Sequence, residues 1–238
     1  MTRLSVNINK VATLRNARGG NIPNLIKVAQ DIERFGAQGI TVHPRPDGRH
    51  IRYSDVDELS SILTTEFNIE GYPNSKFIEL VLNIKPTQVT LVPDSPDILT
   101  SNAGWDTKKH FSFLSEIISE LSSQGIRTSL FMGTDSSLIE KARQTGVNCI
   151  ELYTGPYAEM YEHHPVKAIK PFLEAAHLSN QLGIDLHAGH DLNLRNLKYF
   201  CTNVNGLMEV SIGHALICDS LYFGIENTVQ MYLNQLDV

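Results

Sequence analysis

Short runs rich in β-branched and aromatic residues recur along the chain, and longer segments with apolar residues at helical spacing lie between them. The runs are LSVNI (4–8), GITVH (39–43), FNIE (67–70), QVTLVP (88–93), RTSLFM (127–132), NCIELY (148–153), IDLHAG (184–189) and MEVSIG (208–213). The segments between them are NLIKVAQDIERFG, VDELSSILTT, SKFIELVLNI, FSFLSEIISELSSQG, SSLIEKARQTG, VKAIKPFLEAAHLSNQLG, LRNLKYFCT and ALICDSLYFGIENTVQMYLNQL. Gly36, Gly125, Gly146 and Gly183 stand where helices of this pattern end, as C-terminal caps.

Eight strand–helix alternations in 238 residues predict an α/β fold, a (β/α)8 TIM barrel with extra helices, formed by residues 1–238 as one domain. The competing arrangement, a doubly wound open sheet, calls for a glycine-rich phosphate loop after the first strand. The residues there read NKVATLRNARGG and contain no G-x-G-x-x-G. Residues 214–236 exceed one typical helix and 94–112 form a long connection, so both have room for additional helical pieces.

Composition narrows the function. A chain that is 42% hydrophobic and 19% charged is ordinary for a globular protein. A net charge of -6 argues against nucleic acid, whose phosphates need a basic face, but leaves room for a local cationic pocket that takes small anions. The odd set Cys149, Cys201 and Cys218 has no C-x-x-C spacing and reads as buried reduced thiols. The N-terminus lacks an apolar signal core, and no run approaches the roughly 18 apolar residues of a membrane span. The expectation is a cytoplasmic protein without membrane contact.

In a barrel the C-terminal strand ends share one face, where chemistry is built. Polar groups gather there in seven of the eight cases, although the strands read as apolar. The first run leads to Asn7, Asn9 and Lys10; the second to His43, Arg45 and His50; the third to Glu70; the fourth to Thr100. The sixth carries Glu151, the seventh His187 and His190, the eighth Gly213 and His214. A buried-type strand that ends in Glu or His is costly unless the group is paired or used. His43, Glu70 and His190 converge as acid/base candidates, while Glu151 either orients a neighbour or takes part. His187 and His190 in HAGH could also ligate a metal, but no H-E-x-x-H accompanies them, and no metal is expected. His110, His163, His164 and His177 fall in loop or helix stretches and are expected to be solvated.

The Gly213-His214 turn, opening the last helical segment, suits phosphate. Arg18, from a long first loop, with Arg45 and His50 forms a second candidate anion site. Two anion sites flanking a Glu/His cluster suit an enzyme that joins two small phosphorylated molecules.

Taken together, VNINKVATLRNARGG, GITVHPRPDGRHI, NIEG, LVPD, SLFM, IELYTG, LHAGHDL and VSIGHALI resemble, in order from residue 6 to 217, the pyridoxine 5′-phosphate synthases of the deoxyxylulose-dependent vitamin B6 pathway. The resemblance implies a cytoplasmic barrel that forms homo-oligomers, commonly octamers, and uses no metal or organic cofactor. It implies that 3-amino-2-oxopropyl phosphate is condensed with 1-deoxy-D-xylulose 5-phosphate to give pyridoxine 5′-phosphate, inorganic phosphate and water. By motif, His43, Glu70 and His190 are the implied acid/base groups and Glu151 a transition-state stabiliser. Asn7, Asn9, Lys10, Arg18, Arg45, His50, Thr100, Asp191, Gly213 and His214 are the implied substrate contacts.

Three departures from the family pattern matter. Asn9-Lys10 stand where the family usually has Asp-His. Asp191 replaces the glycine after A-G-H, where a carboxylate would repel phosphate unless it turned away to cap a helix starting near Leu192. His187 replaces a common asparagine. Other phosphate-binding barrels remain as alternatives, but epimerases typically need a metal or paired carboxylates. Schiff-base aldolases need a strand lysine, and no strand interior here has one. A non-catalytic sugar-phosphate sensor would not retain His43, Glu70 and His190 together.

Overall fold

The structure, a computed structural model, describes residues 2–93 and 103–237. Eight parallel strands close into a barrel in sequence order, the last pairing with the first. They are β1 (Arg3–Asn7), β2 (Gly39–Val42), β3 (Glu66–Gly71), β4 (Gln88–Leu91), β5 (Arg127–Met132), β6 (Cys149–Tyr153), β7 (Asp185–His190) and β8 (Leu207–Ile212). The described helices are α1 (Asn9–Asn16), α2 (Leu25–Arg34), α3 (Tyr53–Ser60), α4 (Ser75–Ile84), α5 (Phe111–Ser123) and α6 (Ser136–Arg143), then α7 (Gly155–Tyr161), α8 (Pro165–Leu182), α9 (Leu197–Asn203), α10 (His214–Phe223) and α11 (Ile225–Leu236).

The strands are not uniformly apolar, contrary to the sequence expectation. Each alternates. Leu4, Val6, Ile40, Ile69, Val89 and Ile150 are fully buried and belong to the continuous apolar core that includes the helices. Ser5, Thr41, Asn68, Thr90, Ser129 and His187 are as deeply buried but polar, and they fill the lumen. Their partners cross from strand to strand. Ser5 and Thr41 hydroxyls lie 2.7 Å apart, Asn68 donates to Thr41 and accepts from Thr90, and Gln88 donates to Thr90 and accepts from Arg127. A satisfied hydrogen bond of this kind adds about 0.5–1.5 kcal/mol, whereas an orphaned buried group costs about 1–3 kcal/mol. At the foot of the barrel Arg3 pairs with Glu66 and Glu209, and Arg127 with Glu66, which links non-neighbouring strands through the interior.

Two helices are additional to those predicted. α1 follows β1 directly, where a long loop was expected. It escapes the periodicity because its buried face carries Arg15 beside Val11 and Ala12 while Leu14 is exposed. α7 begins at Gly155-Pro156, a pair that reads as a turn but suits the first positions of a helix, where an N–H is dispensable. α3 starts at Tyr53 rather than Val56, because the Asp55 carboxylate accepts from the Arg52 amide 2.8 Å away and caps the helix early. The long C-terminal segment is two helices, split at Gly224 with φ 75°. The extra helical piece expected in 94–112 falls partly on residues outside those described; 103–110 contain none. Cys149 and Cys201 are buried, but Cys218 is exposed, since it sits on the outward face of α10 with its Sγ 3.6 Å from His214 Nε2. His163, His164 and His177 are exposed as expected, but His110 is half-buried, edge-on to Trp105 at 5.3 Å between centroids.

Candidate active site

The first strand end works as a bracket. Asn7, the last residue of β1, accepts the Asn9 amide with its Oδ1 (3.0 Å) and donates from Nδ2 to Glu70 Oε2 at 3.4 Å. Asn9 in turn accepts the His43 amide at 2.9 Å. An amide oxygen at position 9 therefore holds His43 as a carboxylate would, and the departure there leaves the geometry intact. His43 Nδ1 stands 3.9 Å from Glu70 Oε2, so the ends of β1, β2 and β3 bring both groups to one point.

The loop after β2 is held from beneath by α1. Arg15 forks onto Asp55 at 2.6 and 2.8 Å and donates to the His50 carbonyl, and Asn16 donates to the carbonyls of Gly48 and His50. This clamp presents Arg45, which is buried, and His50, whose ring lies edge-on to His43 at 6.2 Å. Burial, then Arg45, His50 and Arg49, lower the His43 pKa to about 3; burial, then Arg45, Lys10 and Arg49, lower His50 to about 4. Lys10 thus belongs to this cationic rim. Arg49, paired with Asp47, joins it and was not among the predicted contacts. Arg18 is exposed in the turn after α1 and makes no ion pair among the described residues. Thr100 lies outside the described residues.

The opposite side of the mouth is built by β6, β7 and β8. His190 takes φ 97°, a strained backbone for a residue with a side chain. That turn returns Asp191 alongside it, Oδ2 to Nδ1 at 2.7 Å. Asp191 does not cap a helix as expected: Asn193 and Asn196 organise residues 191–196 into turns, and α9 starts only at Leu197. The hydrogen bond to His190 holds the Asp191 carboxyl below its usual range, so it accepts, and Nε2 is the ring's other nitrogen left for chemistry. Tyr153 stands edge-on to His190 at 5.1 Å.

Tyr153, His190, Asp191 and His214 line an open pocket of about 610 Å³ at the start of α10. Gly213 precedes that helix. A Cβ there would come to 3.0 Å from Asn7 Cβ, so a side chain at 213 would press on Asn7 by a few tenths of an ångström. The first N–H groups of α10 have no intrahelical acceptor and face a site suited to an anion.

Glu151 is 3% exposed on β6. A Cβ on Gly189 would overlap its Oε1, so the glycine of HAGH makes room for the carboxyl. Burial, then Glu70 and Glu209, raise the Glu151 pKa well above the carboxylate range. His187 and His190 do not converge on a common ligand. His187 points to Glu209 (3.9 Å), His190 to Asp191, and among the described residues no three His, Cys, Asp or Glu side chains group as a metal site. Glu209, like Glu66, Arg3 and Arg127, was missed. Only the polar-apolar alternation within the strands marks these residues.

The balance of buried groups sets how acid acts on the fold. His43, His50 and His187 are kept neutral, with pKa values lowered to about 3, 4 and 3. Below 6.5 the unfolded chain binds protons at all three that the folded chain does not, so stability falls with pH. Glu151 and Glu209, the latter raised to about 7, act oppositely: above 4.5 they keep protons that the unfolded chain releases. Between these limits the unfolded surplus is about one proton, a slope of about 1.4 kcal/mol per pH unit rather than roughly 4 from the histidines alone. Urea unfolding at about pH 7 and pH 5 should show the gentle loss, and Glu209→Gln should steepen it.

With this geometry in place, comparison with known proteins is informative. Residues 4–238 match the family described as "Pyridoxal phosphate biosynthesis protein PdxJ". The chain is 65% identical over 232 residues to the pyridoxine 5′-phosphate synthase of Parabacteroides distasonis, covering 98% of each, and 63% identical to that of Phocaeicola vulgatus, covering 99% of each. Among solved structures it resembles 3-keto-L-gulonate-6-phosphate decarboxylase from Vibrio cholerae (TM-score 0.67, 9% identity, 99% of this chain and 97% of that one). Phosphoribosylanthranilate isomerase from Thermotoga maritima is similar too (TM-score 0.62, 14% identity, 99% and 98% covered). Those two likenesses establish the barrel alone, whereas the sequence match spans both sides of the mouth, from the Asn7–Glu70 bracket to the α10 terminus. The chain is a member of the PdxJ family of pyridoxal phosphate biosynthesis proteins.

Proposed function

We propose that this barrel mouth makes pyridoxine 5′-phosphate by joining 3-amino-2-oxopropyl phosphate to 1-deoxy-D-xylulose 5-phosphate, with release of inorganic phosphate and water. The observation that carries the reading is the placement of two acid/base centres, His43–Glu70 and His190–Asp191, between a cationic rim and a helix N-terminus. The curated relatives bear the name of that product.

The amine attacks a ketone, water leaves, and a carbon–carbon bond closes the ring, so protons move in both directions. Glu70 and His43 share the deprotonations. A phosphate seated on Arg45, His50 and Lys10 offsets the cations that, after burial, hold the His43 pKa down, and so raises its affinity for a proton when substrate is bound. His190, oriented by Asp191, delivers a proton to a leaving oxygen. Glu151 stabilises the charge that develops. Gly213 and His214 take the second phosphate through backbone N–H groups, which Asp191 does not oppose because it is turned to His190. Asn7 and Asn9 hold the frame. Arg18 and Thr100 complete the substrate contacts as their motifs imply.

Assembly into a homo-oligomer belongs to the same proposal. Leu14 on α1 and Leu221 and Tyr222 on α10 leave apolar side chains exposed, and α1 touches α10. A cytoplasmic setting suits the three free thiols and phosphorylated substrates. No helix among the described residues is long and apolar enough to cross a membrane.

The test is to supply chelator-treated protein with both substrates, following pyridoxine 5′-phosphate by absorbance and inorganic phosphate in parallel. Product from both substrates, and from neither alone, is expected. No product from folded protein would overturn the assignment.

A further inference from the structure

Glu151 on β6 is in register with His187 on β7, and His187 with Glu209 on β8. All three are 3% exposed. They therefore stand side by side on neighbouring strands inside a lumen closed to bulk water.

Their surroundings differ. Glu209 faces Arg3 Nε of β1 at 3.5 Å and His187 Nδ1 at 3.9 Å, with Glu66 of β3 and Arg127 of β5 close by at the barrel foot. Glu151 has no ion pair and no hydrogen bond among the described residues, and the charges that act on it are both carboxyls, Glu70 of β3 and Glu209. A buried carboxylate with no cation is costly. Of two interacting carboxyls, the one beside arginines keeps the negative charge and the one without them keeps the proton. His187 does not interrupt this, since burial holds it neutral. The Nδ1 of His187 has no hydrogen-bond partner among the described residues, and the Oε2 of Glu209 has none beyond its ion pair with Arg3.

We propose that Glu209 is a positioning residue for the reaction: its charge, set two strands away in the lumen, keeps the Glu151 carboxyl protonated, so that Glu151 meets the substrate as a hydrogen-bond donor to developing oxyanion character. The inference rests on the role given to Glu151 above and adds a group that, with burial and Glu70, sets its protonation state. Glu209 itself, pushed up to about 7 by burial and by Glu66 against Arg3 and Arg127, takes its charge within the physiological range.

The test is the pH profile of kcat for the wild-type protein, Glu209→Gln and Glu151→Gln, with KM for both substrates measured alongside. Removing the charge at 209 lets Glu151 ionise at lower pH. The alkaline limb of kcat should therefore move down by about one pH unit or more, while both KM values change less than about twofold. A Glu209→Gln profile that superimposes on the wild type overturns the inference. If Glu151→Gln is impaired in that case, the role of Glu151 stands and only the coupling falls. If Glu151→Gln turns over like the wild type, the role of Glu151 falls and the inference with it. Should Glu209→Gln fail to fold, the infrared carbonyl band of a protonated carboxyl decides on the wild type. The band should persist above neutral pH and be missing from Glu151→Gln; its absence from the wild type overturns the inference.

Discussion

Replacing Glu70 by Gln lowers turnover by at least about 100-fold, the usual scale for a general base, and leaves the barrel folded. The side chain is near isosteric. An amide at 70 can still accept from Asn7 Nδ2, the contact now 3.4 Å long, so the bracket from β1 to β3 survives. What is lost is the proton acceptor 3.9 Å from His43 Nδ1. The substitution also removes one of the two carboxyls that act on Glu151, so any residual activity should decline toward alkaline pH earlier than in the wild type. Steady-state kcat together with a circular dichroism melt checks the expectation. Near wild-type turnover in a folded variant would remove Glu70 from the mechanism.

Arg15→Met should be the most destabilising single change near the site. Arg15 is 4% exposed; its fork onto Asp55 ties α1 to α3 through a charge pair, and its bond to the His50 carbonyl holds the loop after β2. Removing the guanidinium strands a buried carboxylate, at about 3–5 kcal/mol. The cost has a functional echo. His50, whose carbonyl Arg15 and Asn16 hold, loses half of its support, so KM for the substrate bound by the cationic rim should rise more than kcat falls. Pairing Arg15→Met with Asp55→Asn should recover much of the stability, because no charge is then stranded and an amide oxygen still accepts the Arg52 N–H that caps α3, while the raised KM remains. A double variant as unstable as the single one would show that the pair acts through packing and not through charge.

The two substitutions also mark what was legible in the chain. The position of Glu70 beside His43 was readable because a carboxylate at the end of an apolar run is expensive unless paired or used, and the strand ends fall within a residue or two of where the runs predict them. Arg15 was not. Periodicity weighs apolar residues, and α1 buries a charged one, so a helix that holds the site together reads as a loop. The lumen was hidden for a related reason. A parallel barrel strand is buried on both faces, so SVN, FNIE and CIEL look like generic core when only their burial is considered, although their alternating polarity separates helix-facing from lumen-facing positions. Asp191 escaped because its partner is set by the φ of His190, a backbone angle that no pattern of residue types encodes.

The separation of the two faces has a consequence for how such a protein changes over time. Its adhesive interior is a sleeve between strands and helices, and the axis of the molecule carries little of that cohesion. Substitutions along the axis are therefore judged by charge and hydrogen-bond fit with a few neighbours, and hardly by volume lost from the sleeve. Exchanges at Thr41, Asn68, His187 and Glu209 answer to polar neighbours across the lumen while the apolar shell stays untouched. His187 fits such an exchange: a buried histidine accommodated beside Glu209 with the sleeve around it unbroken. Apolar packing and proton affinity are thus carried by alternate positions of the same strands, so a change on the lumen face leaves the sleeve in place and is felt through the polar network alone.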